Sequence, residues 1–103
     1  MIDVPFHDLA SIKQILAKHV PGCEVRVFGS RVNGTARSYS DLDVVIIGED
    51  KVPRKQVYRL KEAFQESDLP FRVDVLDWHR ISLEFRKIIE NAYEVVQEGT
   101  NDS

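Results

Sequence analysis

Three segments of the chain carry apolar residues at the spacing of an amphipathic helix. The pattern predicts a first helix over residues 6–19, which ends before the helix-breaking pair Pro21-Gly22. Two further helices are predicted over residues 54–67 and 81–92. The apolar positions that define these helical faces are Leu9, Ile12, Ile15, Leu16, Val57, Leu60, Phe64, Ile81, Phe85, Ile88, Ile89 and Ala92.

Between these helices lie short runs rich in β-branched residues, which are typical of strands. In the first run, Val25 and Val27 alternate with charged residues up to Gly29. The element order α-β-β-α-β-α-β predicts a single α/β (α+β) domain over residues 1–98, with a small mixed sheet flanked by helices, followed by a disordered tail over 99–103. The predicted strands cover residues 23–29, 41–48, 71–78 and 93–98.

Size and charge narrow the classes of protein to which the chain can belong. Its 103 residues suit one domain, and a formal net charge of −3 offers no overall basic field, so direct nucleic-acid binding is not expected. The single cysteine, Cys23, excludes an internal disulfide and fits a reducing compartment. Because no apolar run approaches 18 residues, we expect a cytoplasmic protein without a membrane segment.

Two aspartates stand at the head of the second predicted strand, where burial of a carboxylate is costly unless a cation meets it. Side chains alternate along a strand, so Asp41 and Asp43 point to one face and lie roughly 6.5–7 Å apart. Carboxylate oxygens without nitrogen or sulfur ligands favour Mg²⁺ or Mn²⁺ over zinc. The pair therefore predicts a divalent metal site.

The predicted topology brings a third carboxylate to the same place. A helical crossover of about two dozen residues is the length that returns a chain to a parallel neighbouring strand. The early residues of the third strand, which include Asp74, should therefore lie beside the head of the second. Three carboxylates at one sheet end can hold two divalent ions in the arrangement that serves phosphoryl or nucleotidyl transfer.

The loop before the aspartates carries groups suited to phosphate. Gly29 has no Cβ, so a phosphate can approach its backbone, and Ser30 offers a hydroxyl and an N–H. Arg31 is a candidate for neutralising phosphate oxygens, and Arg37 is a second, weaker candidate.

Each of these residues also has a purely structural interpretation. Asp41 can cap a turn, and Asp74 can be an exposed strand residue. Asp77, three residues beyond Asp74, is expected in a cap or surface role. Most cations of the second long helix are expected to form a solvated face: Arg54, Lys55, Arg59 and Lys61.

The combination of Gly29-Ser30, ten intervening residues and Asp41-x-Asp43 resembles the signature of the nucleotidyltransferase superfamily that includes DNA polymerase β. It is most similar to the small stand-alone minimal nucleotidyltransferases. The resemblance runs through "FGSRVNGTARSYSDLDVVI", "FRVDVLDW" and "HRISLEFRKIIENA" and covers nearly the whole chain.

This resemblance implies a nucleotidyltransferase fold and a set of roles. It implies that Asp41 and Asp43 bind the metal and that Asp74, the third carboxylate, also contacts or deprotonates the acceptor hydroxyl. Gly29 and Ser30 correspond to the turn that holds the triphosphate. Similar minimal proteins are antitoxins paired with an all-helical HEPN-type RNase toxin, which implies transfer of AMP from ATP to a tyrosine of that partner.

Two other functions remain open at this stage. The chain can be a non-catalytic antitoxin that neutralises its partner by occlusion, or a nucleotidyltransferase that modifies a small molecule. In a sequence of this length we expect no further domain to hold a template, and apolar surface near an open site usually marks a partner surface. We therefore expect a protein acceptor and a homo- or hetero-oligomer.

Overall fold

The computed structural model describes residues 2–35 and 40–100. The described part contains four helices and four strands, in the order that the sequence predicts apart from a short extra helix in the loop after the first strand. In chain order they are α1 (Phe6–His19), β1 (Glu24–Phe28), α2 (Ser30–Asn33), β2 (Leu42–Ile47), α3 (Arg54–Gln65), β3 (Val73–Asp77), α4 (Leu83–Asn91) and β4 (Tyr93–Gln97).

The four strands form one mixed sheet in the order β3-β2-β1-β4. β1 is antiparallel to both of its neighbours, β2 and β4, whereas β2 and β3 are parallel. This arrangement confirms the prediction of a small mixed sheet flanked by helices. The parallel pair follows from α3, because a helical crossover returns the chain in its original direction.

The main core lies between one face of the sheet and the helices α1 and α3. Alternation along β1 places Val25 and Val27 on this face, and both side chains are fully buried. They pack with Ile12 and Leu16 of α1 and with Leu60 of α3. This core packs α1 and α3 against one face of the sheet, and α4 lies on the opposite face.

A smaller core lies on the other face, where α4 covers part of the sheet. Phe28 of β1 and Val45 of β2 pack there against Ile89 of α4. The helix begins at a capped end, since the hydroxyl of Ser82 accepts a hydrogen bond from the backbone N–H of Phe85 at 3.1 Å. α4 thus leaves the end of this face open where β1 stops and β2 begins.

Asp77 corrects one sequence interpretation, because its side chain is only 5 % exposed and has no surface role. Its carboxylate caps the turn that follows β3 by accepting from the N–H of His79 at 2.9 Å. It also accepts from the N–H of Val52 at 2.8 Å and from the guanidinium of Arg80 at 2.6 Å. These bonds tie the loop before α3 to the end of β3, so the cap half of the prediction is correct.

The predicted boundary between the domain and a disordered tail at residue 99 stays a prediction. The N–H of Thr100 lies 3.3 Å from the carbonyl oxygen of Gly22, while residues 101–103 lie outside the described residues. Within the described ranges, no helix is long and apolar enough to span a bilayer.

Candidate active site

The structure brings the predicted carboxylates to one end of the sheet. Asp43 on β2 and Asp74 on β3 are paired in register across the parallel ladder. Residues paired in this way lie on adjacent strands about 4.8 Å apart and point to the same face. Asp41 lies just before β2 and is exposed, so all three carboxylates share the open end of the α4 face.

Gly29 shapes this end of the sheet for a reason that the sequence did not reveal. Its φ is +83°, a conformation that L side chains rarely adopt. A Cβ built on it would overlap the Oδ2 atom of Asp43. The space that the sequence analysis assigned to an approaching phosphate is therefore shared with the carboxylate of Asp43.

Ser30 follows directly as the first residue of α2. The turn closes on itself, since the N–H groups of Val32 and Asn33 both donate to the carbonyl of Gly29, at 3.0 and 3.1 Å. The N–H of Ser30 belongs to the first turn of this helix, where backbone donors have no acceptor within the helix. Ser30 thus lies beside the carboxylates as predicted, and its role as a triphosphate ligand stays a prediction.

The guanidinium of Arg31 bonds to backbone carbonyls, and its predicted role as a phosphate ligand stays a prediction. The residue is 4 % exposed, and its Nε and Nη2 atoms donate to the carbonyl of Ser40 at 3.0 and 2.7 Å. Nη1 donates to the carbonyl of Asp3 at 2.8 Å, and the guanidinium stacks on Phe71 at 4.3 Å from the ring centre. Arg31 therefore fixes the backbone immediately before Asp41.

The second arginine of the sequence prediction, Arg37, lies outside the described residues. The cation nearest to the carboxylates in the described part is Arg72, whose Nε lies 3.2 Å from Oδ1 of Asp74. Because Arg72 is 77 % and Asp74 is 40 % exposed, solvent screens this ion pair. Sequence analysis missed Arg72, although its position two residues before Asp74 places both side chains on one face of the strand.

Electrostatics at the site are dominated by the carboxylates themselves. Burial raises the pKa of Asp43 above its usual value of 3.8, and the negative charges of Asp74 and Asp41 raise it further. Burial and the two neighbouring charges therefore disfavour the ionised form of Asp43. A divalent cation would remove this penalty, because it compensates the charges that raise the pKa.

The donor set fits a magnesium-type ion held jointly with a substrate. The residues described contain no preformed group of three His, Cys, Asp or Glu side chains that could hold a metal. Mg²⁺ commonly binds through one or two carboxylates plus water and substrate phosphates, so a complete protein cage is not required. Asp43 and Asp74 supply oxygen donors in register, and the third predicted ligand, Asp41, stands at the rim.

A cavity of about 740 Å³ opens from these carboxylates. Asp43 and Asp74 line one part of it, and Phe28 and Phe85 form an apolar wall on the α4 side. The two rings meet edge to face with their centres 5.9 Å apart. The volume is within the usual range of a small-molecule binding site, roughly 300–1,000 Å³.

Comparison with known proteins agrees with this geometry. The profile of the nucleotidyltransferase domain family matches residues 9–98. The chain is 52 % identical over 97 residues to a Haemophilus influenzae protein named as a probable protein adenylyltransferase MntA, a match that covers 94 % of this chain and 85 % of the relative. The chain belongs to the nucleotidyltransferase family.

Solved structures share the fold of this family member. A toxin-antitoxin complex with AMP-PNP matches with a TM-score of 0.74 at 22 % identity, covering 90 % of this chain and 74 % of that one. A complex of tri-AMPylated HEPN toxin with MNT antitoxin from Shewanella oneidensis matches with a TM-score of 0.67 at 21 % identity, covering 91 % and 71 %. A minimal nucleotidyltransferase matches with a TM-score of 0.66 at 30 % identity, covering 85 % and 88 %. These matches confirm the predicted nucleotidyltransferase fold.

Proposed function

We propose that this nucleotidyltransferase is a protein adenylyltransferase that uses Mg²⁺ or Mn²⁺ to move AMP from ATP to a tyrosine of a HEPN-type toxin, and so acts as an antitoxin. Two contacts together carry the proposal. Asp43 and Asp74 are paired across the adjacent strands β2 and β3, and Gly29 lies against the carboxylate of Asp43. The 52 % identity to a probable protein adenylyltransferase supports a protein acceptor.

The reaction joins the acceptor oxygen to the α-phosphorus of ATP. The bond between the α-phosphorus and the oxygen that it shares with the β-phosphorus breaks, and pyrophosphate leaves. Asp74 accepts the proton of the acceptor hydroxyl. Asp41 and Asp43 would hold the metal-nucleotide complex, and Asp74 would be a further metal ligand. Mg²⁺ or Mn²⁺, when bound there, would supply positive charge that stabilises the negative charge developing in the transition state.

The nucleotide side of the site is the turn at the end of β1. Gly29 and Ser30 lie beside Asp43, so a triphosphate held at their backbone would place its α-phosphorus near the carboxylates. Arg31, which follows this turn, holds the backbone before Asp41 through its bond to the carbonyl of Ser40 and also donates to the carbonyl of Asp3. The cavity beyond Asp74 then serves the acceptor.

Transfer is tested with labelled ATP, Mg²⁺ and a HEPN-type toxin, and the products are weighed by mass spectrometry. We expect one or more AMP masses on a toxin tyrosine. Asp41→Asn and Asp43→Asn should lose transfer and weaken binding of Mg-ATP, whereas Asp74→Asn should bind Mg-ATP within a few-fold and lose transfer by about 10² or more. Asp8→Asn, a carboxylate change on α1, is the control.

The same variants separate catalysis from occlusion. If Asp43→Asn neutralises the toxin as well as the wild-type chain does, the protein acts by binding alone. If all three variants keep full transfer, the reaction takes place elsewhere and the assignment of the site is wrong.

A further inference from the structure

The outer edge of β3 is an unpaired strand edge that begins at the active site. β3 is the terminal strand of the sheet in the described part of the chain. The N–H of Leu42 donates to the carbonyl of Arg72, and the N–H of Trp78 donates to the carbonyl of Ile46. Because alternate residues of a parallel strand bond to the same neighbour, the backbone groups of Val73 and Val75 point away from β2, toward the free edge.

A groove follows this edge along its whole length. The cavity at the carboxylates is lined by Val73, Asp74, Val75 and Leu76 in succession, and by Lys61 of α3. A second cavity of about 320 Å³ adjoins it, shares Lys61, Val75 and Leu76, and reaches the end of the strand. The free edge of β3 is thus the floor of a groove with α3 as one wall.

The α3 wall of the groove is cationic, although the whole chain carries a net charge of −3 and the strand side is lined by the carboxylates Asp43, Asp74 and Asp77. Arg54 and Lys61 of α3 line it, and the described residues provide no ion pair for either. Arg72 and Arg80 also line it, each already paired with an aspartate of β3. An occupant with acidic side chains would therefore find unpaired cations on the α3 wall.

We propose that this β3 groove binds an extended, acidic segment of the acceptor protein, a stretch outside its helices, as an added strand, and this inference rests on the proposed protein adenylyltransferase function. Strand addition uses the free backbone groups of Val73 and Val75 for affinity. Residues opposite each other on adjacent strands point to the same face. The acceptor residue opposite Asp74 therefore emerges on the active-site face, next to the carboxylate that takes its proton.

Two double variants of α3 provide a matched test. Arg54→Glu with Lys61→Glu reverses the charge of the groove wall, whereas Lys55→Glu with Arg59→Glu makes the same change in net charge at exposed positions that do not line the groove. We expect the groove variant to raise the KM for the toxin by about tenfold or more while kcat stays within a few-fold. The control variant should stay within about twofold of wild type in both constants.

Amide exchange followed by NMR tests the strand pairing without any reliance on catalysis. The N–H groups of Val73 and Val75 should exchange fast in the free protein and become protected when the toxin is added. Equal effects of the two double variants on KM would overturn the proposal, as would unprotected β3 amides in the complex. Protection that rises with concentration in the protein alone would assign the edge to a second copy instead.

Failure of the proposed function gives a different pattern. In that case the wild-type chain transfers no AMP, yet protection of Val73 and Val75 in the toxin complex still reports whether the groove holds a strand.

Discussion

At the scale of single residues, two glycines have a positive φ but differ in ψ, which is −153° at Gly29 and +9° at Gly34, and in their surroundings. Gly29 and Gly34 have φ values of +83° and +87°. A Cβ at Gly29 would overlap the carboxylate of Asp43, whereas a Cβ at Gly34 would meet no atom within 4 Å in the described part of the chain. Gly34 therefore serves as a comparison in which a substitution strains the backbone but displaces no functional group.

Gly29→Ala should therefore abolish most transfer, and Gly34→Ala should not. Gly34→Ala should lower the free energy of unfolding by about 1–2 kcal/mol, the cost of the left-handed α conformation. Gly29→Ala should lower it further, because its ψ of −153° lies in a region that is essentially restricted to glycine. Only Gly29→Ala also displaces Asp43. Thermal melting and the transfer assay on both variants check this, and equal loss of transfer would show that steric contact with Asp43 is unimportant.

The raised pKa of Asp43 links stability to pH. The unfolded chain releases this proton at a lower pH than the folded chain does, so the free energy of unfolding falls as pH rises from the usual pKa of 3.8 to the raised one. Asp43→Asn removes this loss. Without metal it should melt above wild type at neutral pH, and the difference should shrink as pH falls through the raised pKa of Asp43 and vanish below about 4.

A melting advantage of Asp43→Asn that does not depend on pH would contradict this electrostatic origin. The matched change Asp8→Asn on α1 should show no comparable gain at neutral pH.

Arg31 gives opposite outcomes for a structural role and a phosphate-binding role. Arg31→Met leaves the buried carbonyls of Ser40 and Asp3 without these donors, so we expect a loss of about 2–3 kcal/mol in the free energy of unfolding. Denaturant unfolding measures this, and exposed Arg59→Met is the control. Unchanged stability with a large loss of ATP affinity would restore the phosphate-ligand interpretation.

At the scale of elements, the cap of α4 matters because this helix closes the second core beside the site. Ser82→Ala removes the acceptor for the N–H of Phe85 and should lower the free energy of unfolding by about 1 kcal/mol. Ser82→Asp supplies another acceptor and should retain most of it. Denaturant unfolding of the two variants tests the cap, and equal loss in both would show that the hydrogen bond is not the cause.

Periodicity predicted the elements because their stabilising contacts repeat along the chain. Helical spacing predicted α1, and runs of β-branched residues predicted β1, β2 and β3. The convergence of Asp43 with Asp74 follows from the length of the crossover between β2 and β3. Arg31 and Asp77 were assigned less well, because their partners lie far away in sequence. Arg31 bonds to Asp3 and Ser40, and Asp77 to Val52, and no local pattern records such contacts.

The contact between Gly29 and Asp43 also could not be predicted from the sequence alone. The sequence indicates why a glycine suits a phosphate-binding turn, but the contact with Asp43 depends on the antiparallel register of β1 and β2. The register is a property of the assembled sheet. Candidate residues could therefore be named from the sequence, whereas their neighbours could not.

At the scale of the whole molecule, Asp43 and Asp74 lie on strands that differ in the number of neighbouring strands. β2 is paired on both sides, by β1 and β3, whereas β3 is paired only with β2 in the described part of the chain. A terminal strand can detach at a lower free-energy cost than an interior one, without global unfolding. Asp43 therefore lies on the interior strand, which is held on both sides, and Asp74 lies on the terminal strand, which can open locally.

Heating should accordingly abolish AMP transfer at a lower temperature than the one at which the protein unfolds. As temperature rises, partial detachment of β3 withdraws Asp74 while the nucleotide half of the site stays intact, so transfer should decline below the melting temperature and recover on cooling. Binding of Mg-ATP should persist to the melting transition. Parallel measurement of transfer, nucleotide binding and circular dichroism across the same temperatures checks this, and coincident loss of all three would mean that the sheet opens only as a unit.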